Sequence, residues 1–268
     1  MVVDALTHVH PDKDGFGGGL DARVESLVEN LDRAGVDRAV VTAIAADTAY
    51  GTSSEYVAEC CRRFPDRIIG FASVNPLRDP DATAKLERCV TEFGLRGLKL
   101  HPRHQQLSVD DTKVVPVVEK AAELGIPVMI CGSQWKHAPL AWQDPSNVDT
   151  LCKRVPEAKI IIAHGGGFRF WDAFIVAVAN ENVYLETSIV LNYFHETPYE
   201  EQYRFTLEKL GPSRLIYGSD HPEDPAGDCY PRSRAVIESY GFNPQDCEKI
   251  FGENILALTR TSPPAAQP

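Results

Sequence analysis

Several things are scarce in this sequence. No run of Lys and Arg occurs, and 27 basic against 38 acidic residues give a net charge of −11. Such a chain offers no electrostatic footprint for nucleic acid or an anionic membrane, so the expected partner is a small molecule. No apolar stretch approaches the ~20 residues that cross a bilayer. The opening MVVDALTHVHP is apolar only briefly, lacks a positive flank and carries Asp4 and His8 where an export signal needs its hydrophobic stretch, so no export is expected. The seven cysteines, at 60, 61, 89, 131, 152, 229 and 247, are an odd number without a CxxC spacing, in a chain too large to need covalent staples. They read as reduced thiols of a cytoplasmic protein. A phosphate-binding glycine turn is missing too: GFGGG at 15–19 is not spaced as GxGxxG and follows no strand directly, which argues against a dinucleotide-binding open sheet. No linker, and no internal repeat beyond a single strand–helix unit, divides the 268 residues.

What the chain does have is alternation. Short β-branched, apolar runs recur from end to end, at 2–10, 38–44, 67–73, 96–101, 127–131, 159–164, 183–188 and 214–220. Between them lie segments of helical spacing, such as 20–35, 79–94, 110–125 and 197–211, each closing on a glycine where a helix C-cap belongs. Strand and helix in turn mean βαβ units, and runs apolar on both faces mean strands covered on both sides. Eight such units predict a single α/β domain, a (β/α)8 TIM barrel over 1–258, followed by a flexible tail over 259–268 that is proline-rich and aperiodic. Loop lengths agree. Connections entering the strands are short, whereas those leaving them, such as 11–20, 45–53, 132–146, 189–198 and 221–230, are long and hold most of the Trp, Tyr, His, Gly and Pro outside regular elements. A barrel with its site at the C-terminal ends of its strands shows this asymmetry.

The candidate chemistry sits at those ends. His8 and His10 are two apart at the end of the first run, so period-two alternation points both imidazoles to one face, in a barrel the interior at the mouth. Such a pair can hold a metal ion at ~2.0–2.1 Å, or be capped by backbone groups. Asp220 ends the eighth run, which neighbours the first in a closed barrel. It can ligate a metal and take a proton from metal-bound water, or cap a helix. His164 ends the sixth run before three glycines that permit close approach, and can polarise a carbonyl or shuttle a proton. Lys99 and His101 share a face at the end of the fourth run, and Lys99 with Arg103 either supplies positive charge for a substrate carboxylate or balances Asp220 and its neighbours. After the fifth run, Trp135, Lys136, His137 and Trp142 stand in a long polar loop that reads as a lid or wall for a planar or apolar substrate. Tyr193, with Phe194 and His195, would line the opposite wall. Ordinary packing beneath the loop is the alternative for each aromatic.

DALTHVH, AGVDRAVV, RGLKLHP, LGIPVMI, KIIIAHGGG, NVYLETS, YGSDHP and IFGENILAL, in that order, make the chain resemble the amidohydrolase-related branch of the amidohydrolase superfamily, the group that includes aminocarboxymuconate-semialdehyde decarboxylase-like enzymes. The resemblance covers nearly the whole chain. It implies a (β/α)8 barrel holding one divalent metal, zinc first with Mn2+ or Fe2+ as alternatives, on His8, His10 and Asp220, with His164 assisting. One position departs: where the family has a strand-five His as a third nitrogen ligand, this chain has Cys131. A thiolate is a competent, softer zinc ligand at ~2.3 Å, while a small buried hydrophobe is the other fate of a free Cys. Carbamylation of Lys99 to bridge two metals, as in binuclear relatives, is not what the mononuclear branch implies.

The expected function is metal-dependent hydrolysis of an amide, lactone or ester. The metal lowers the pKa of bound water towards ~7, Asp220 takes its proton and His164 stabilises the developing oxyanion. The alternative is metal-dependent, non-oxidative decarboxylation of a small unsaturated or aromatic acid, in which a protonated base delivers a proton to carbon. A third reading, from another class, is a binding barrel that lost its metal together with the strand-five His. The expected partner is a small-molecule substrate, with neither nucleic acid nor membrane, and a homodimer is compatible with the chain.

Overall fold

The structure is a computed structural model that describes residues 1–45, 50–134 and 138–260. Its strands are β1 (Val3–Thr7), β2 (Arg38–Thr42), β3 (Ile68–Phe71), β4 (Leu98–Leu100), β5 (Val128–Cys131), β6 (Ile160–Ala163), β7 (Val183–Glu186) and β8 (Leu215–Ile216). All pair in parallel, in two groups, β1 to β3 and β4 to β8, each in sequence order. Single bridges close the gaps, Ala72 with Leu98 between β3 and β4, and Thr7 with His221 between β8 and β1. The chain is therefore the expected (β/α)8 barrel. Its larger helices are α1 (Val24–Ala34), α2 (Ser54–Arg63), α3 (Ala82–Thr91), α4 (Val115–Glu123), α5 (Pro145–Arg154), α6 (Phe170–Ala179), α7 (Glu200–Leu210) and α8 (Ala226–Ser239).

Local sequence explains where these elements begin and end. Gly35, at φ 68°, terminates α1 in the left-handed conformation that glycine adopts without strain. The Ser53 side chain accepts from Tyr56 N–H at the start of α2, and Asp144 from Ser146 N–H at the start of α5, with Pro145 in the first turn. Strand residues are buried on both faces. Val41, Leu98, Val128, Ile130, Ile160 and Ile162 pack outward under the helices. Val40, Ile69, Phe71, Met129, Ile161 and Ile216 fill the lumen, which Ile255 helps to close from below. Each such side chain contributes about 1.5–3 kcal/mol by leaving water.

The seam between β8 and β1 is the irregular part of the barrel, and it positions the site. The register of β1 slips between Asp4 and Thr7, and β8 keeps only two strand residues. The wholly buried Asp4 takes the place of ladder bonds there: its Oδ1 accepts from Ser219 N–H at 2.9 Å and Leu6 N–H at 3.3 Å. Burial pushes its carboxyl up to about 7. Asp220 N–H then donates to Leu6 O at 2.8 Å and His8 N–H to His221 O at 2.7 Å. The sequence expectation that β1 reaches residue 10 and β8 reaches 220 is corrected accordingly: His8, His10 and Asp220 are loop residues just beyond the ladder. At the other end Thr259 is buried and its N–H bonds Ile255 O, so packing extends through it, and the expected tail lies, from residue 261 on, outside the described residues. Among the described residues no helix is long and apolar enough to cross a membrane.

Candidate active site

A lysine stands inside the apolar lumen. Lys99, in register with Met129, is wholly buried and its Nζ has no hydrogen-bond partner among the described residues. Burial lowers its pKa, against the pull of Cys131, Asp220 and Glu186. A buried polar group left unpaired is costly, and a cation more so. Beside it His101 caps the short helix Pro102–Gln105, its N–H bonding Gln105 Oε1 at 2.6 Å, and its Nδ1 also lacks a partner. Burial, then the charge of Lys99, holds the His101 pKa well below its ordinary value.

Across the seam His8 Nε2 lies 3.3 Å from Asp220 Oδ1, while its Nδ1 meets Thr42 Oγ1 at 2.9 Å. The third member of this group is His164. Its Nδ1 lies 2.9 Å from Ser188 Oγ, which donates to Glu186 Oε2 at 2.8 Å, and its own N–H donates to the same carboxylate oxygen at 3.0 Å. Glu186 is fully buried, and burial raises its pKa. For His164, burial favours the neutral ring, yet Asp220 and Cys131 outweigh it and the pKa rises. Asp220 moves oppositely: burial opposes its charge, but His164 and His8 hold the carboxyl below its ordinary value. His164 and Asp220 also have positive φ, 56° and 66°, an uncommon state for such residues that clusters at functional sites.

Cys131 sits at the end of β5 between the two imidazoles. Burial disfavours its thiolate, but hydrogen bonds from His101 and His164 pull its pKa well below 9, and Ser133 Oγ lies 3.3 Å away. Aromatic rings line the mouth on the other side. Phe16 and Tyr50 stack at 6.5 Å with 15° between planes, and Tyr50 meets His104 at 5.9 Å. Arg103, in the same turn, places Nη2 3.1 Å from His104 Nε2.

Whether these side chains fit a divalent ion is decided by the donors. His8 Nε2 and Asp220 Oδ1 are spaced as two neighbouring ligands of one ion with bonds near ~2.0–2.1 Å. His10 does not join them: its Nδ1 accepts from Asp12 N–H at 3.0 Å, in a turn where Gly15 lies against the ring. Alternation ends with the strand at Thr7, so nothing obliges the two imidazoles to converge as the HxH spacing predicts. Cys131 Sγ has Ser133 Oγ at 3.3 Å as its hydrogen-bond partner. Among the described residues no three His, Cys, Asp or Glu side chains gather where an ion could sit. The arrangement supplies two donors of a metal site and does not complete it.

With fold and site in view, kinship can be stated. Residues 3–260 match the family described as Amidohydrolase. The chain belongs to the amidohydrolase family. A 2-amino-3-carboxymuconate-6-semialdehyde decarboxylase from Dictyostelium discoideum is 24% identical over 242 residues, which cover 78% of this chain and 66% of that protein; the matched stretch is thus just under two thirds of the relative's length. The barrel superposes on 5-carboxyvanillate decarboxylase from Sphingomonas paucimobilis with a TM-score of 0.72 at 17% identity, covering 97% of this chain and 99% of that one. It matches a dihydroxybenzoic acid decarboxylase from Polaromonas sp., solved with manganese and 2-nitroresorcinol, with a TM-score of 0.70 at 19% identity and 96% of both chains.

In this member of the amidohydrolase family, the residues expected from the sequence divide into three sets. His8, Lys99, His101, Cys131, His164 and Asp220 converge on the barrel mouth, with Arg103 on its rim. Trp142 lines a small cavity behind the barrel wall with Val109, Ile130, Val148 and Ile162, which Cys131 and Gly132 also touch. Tyr193 is displaced: it is exposed and packs edge-on against Phe168 and Phe194 on the outer surface. Trp135, Lys136 and His137 lie outside the described residues. Glu186, Ser188, Thr42, Phe16, Tyr50 and His104 were not singled out from the sequence. For Glu186 and Ser188 a signal was available, since a charged residue at the end of an otherwise apolar strand, two before a serine, invites the same period-two argument as Lys99 and His101.

Proposed function

We propose that this amidohydrolase is a carboxy-lyase that removes CO2 from a small, planar unsaturated or aromatic acid. The observation that carries the proposal is the buried, unpartnered Lys99 amino group, set among Asp220, Cys131 and Glu186. It asks for an anionic oxygen, which would give Nζ a partner and favour its charged form. The stacked Phe16 and Tyr50 suit a flat ring. The named activities of the three similar proteins support carboxyl loss better than the hydrolysis expected from the sequence.

In this reading Lys99, with His101 and Arg103 beside it, holds an anionic oxygen of the substrate. His164, kept protonated by Asp220 and steadied through Ser188 by Glu186, faces the reacting carbon. The bond from that carbon to the carboxylate breaks, its electron pair stays on carbon, CO2 departs and the carbon takes the His164 proton. General-acid transfer of this kind contributes about 10²–10⁴-fold. A divalent ion, zinc or manganese, would find two of its donors in His8 and Asp220 and would supply Lewis-acid polarisation of a substrate oxygen.

The test is a panel of aromatic and unsaturated acids incubated beside lactones, amides and esters, with CO2 release and ring absorbance followed, and elemental analysis of the same protein. Release of CO2 from at least one acid is expected. Turnover of a lactone, amide or ester with no CO2 from any acid would restore hydrolysis. A protein that retains no metal yet decarboxylates would leave the reaction standing and remove the ion.

A further inference from the structure

A catalytic divalent ion such as zinc is ordinarily held by three protein donors, with one position left for water or substrate. Among the described residues this barrel brings two, and His8 Nε2 and Asp220 Oδ1 meet each other at 3.3 Å. The side chains best placed to add a third donor do not supply one. On β1 the residue two before His8 is Leu6, which is wholly buried and packs in the lumen with Val40, Met129 and Ile161. His10, two residues beyond His8, has left the strand: its N–H donates to Ala22 O at 2.7 Å and its Nδ1 accepts from Asp12 N–H. An imidazole that accepts on Nδ1 carries its proton on Nε2, so neither nitrogen has a lone pair free for an ion. A Cβ at Gly15 would overlap this ring, so the turn is built around His10 where it stands. Cys131, at the end of β5, has Ser133 as its partner.

What stands among these side chains instead is a base. Lys99 is wholly buried in the lumen and its Nζ has no hydrogen-bond partner. The acidic groups that act on it are Cys131, Asp220 and Glu186, which come from the end of β5, the loop after β8 and the end of β7. We propose that Lys99, and no divalent ion, supplies the positive charge of this site, so that the reaction proceeds on a metal-free barrel. The identity of the reaction rests on the carboxy-lyase reading, whereas the source of the charge does not. A lysine is a compact point charge with three donors, and it serves one anionic oxygen without needing ligands of its own. A substrate oxygen that accepts from Nζ favours its charged form. When the bond to the carboxylate breaks, the electron pair left on carbon is shared with that oxygen, and Lys99 offsets the charge that develops there. CO2 departs, the carbon takes the His164 proton, and His164 regains one from solvent. With the charge carried by the chain itself, leucine at position 6 and cysteine at position 131 cost the reaction nothing.

The experiment is metal analysis of the full chain, after saturation with Zn2+ or Mn2+ and desalting, beside calorimetric binding of benzoate as a planar acid anion. Wild type should retain far less than one equivalent of either metal, and CO2 release from any acid it decarboxylates should be indifferent to EDTA. Leu6→His combined with Cys131→His, which sets imidazoles at the two positions, should take up Co2+ with visible absorption that wild type does not show. Lys99→Met should weaken benzoate binding about 100-fold. Because an unpaired buried amine is costly, the same variant should melt at a higher temperature than wild type. One equivalent of zinc or manganese on wild type that Asp220→Asn releases would overturn the proposal. So would benzoate binding to wild type no tighter than to Lys99→Met, or a loss of CO2 release in EDTA that Zn2+ restores. If no acid loses CO2, the carboxy-lyase reading falls alone, and metal content and benzoate binding still decide where the charge comes from.

Discussion

The inside of the barrel mouth and the outside of α6 invert the same rule in opposite directions. Lys99, Glu186, His101 and His164 are polar and buried, whereas Phe168, Ile175 and Val178 are apolar and exposed. Elsewhere the chain follows the ordinary pattern, with valine, leucine and isoleucine between strands and helices. A buried polar group and a large exposed apolar patch are the two informative departures from that pattern. Neither is what stability alone would select. The first lies where the proposed chemistry would occur, and each can be altered without touching the other.

The largest effect is expected at the centre of the polar region. Asp220→Asn removes the charge that raises the His164 pKa and pairs with His8, and kcat/KM on the acid identified by CO2 release should fall about 10³-fold. A loss of less than tenfold would show that the positive φ and the His8 contact belong to the seam and not to the reaction. The second effect is on stability and runs the other way. Asp4 has a native pKa of about 7 against ~3.9 in the unfolded chain, so between those values the folded protein holds the extra proton. The contribution of Asp4 to stability is therefore greatest below pH 4, falls as pH rises through 4 to 7 and levels off above 7. Asp4→Asn keeps the Oδ1 acceptor and has nothing to ionise. Urea denaturation should find the variant more stable at pH 8, by up to about 4 kcal/mol, with the difference vanishing near pH 4.

These two residues also show how far the sequence could be read. The eight strands, their order, the closed barrel and the long loops at one end follow from periodicity and glycine caps. Lys99, His101, His164 and Asp220 follow from their places at strand ends, and Cys131 from the family resemblance. The bulge in β1 does not, because it is set by how Asp4, Leu6 and Ser219 share hydrogen bonds across a seam whose ends lie over two hundred residues apart. The parting of His10 from His8 is a consequence of the same geometry. Helix α6 hides for the opposite reason: apolar residues on nearly every face leave no stripe for a 3.6-residue period to detect. Tyr193 was placed at the mouth by its position after β7, and only the rings of Phe168 and Phe194 reveal that it faces outward.

The smallest of the three effects tests whether Glu186 belongs to the chemistry or only to the fold. Its two carboxylate oxygens accept from Ser188 N–H at 2.5 Å, Ser188 Oγ and His164 N–H, so it acts on the reaction through another residue. Glu186→Gln keeps the volume but turns one acceptor into a donor facing a donor. The expected outcome is a 10–100-fold lower kcat, the range seen when the outer partner of a functional imidazole is lost, with KM nearly unchanged. The pH profile supplies the readout that a structural role would not move. Glu186 is among the groups that raise the His164 pKa, after Asp220 and Cys131, and without its charge His164 gives up its proton at lower pH. The alkaline limb of kcat should shift to lower pH, while Ile175→Ser, which alters only the outer face, should leave that limb in place. If Glu186→Gln lowers thermal stability and kcat but the limb does not move, Glu186 supports the barrel wall alone, and the polar interior owes its proton to Asp220 without help.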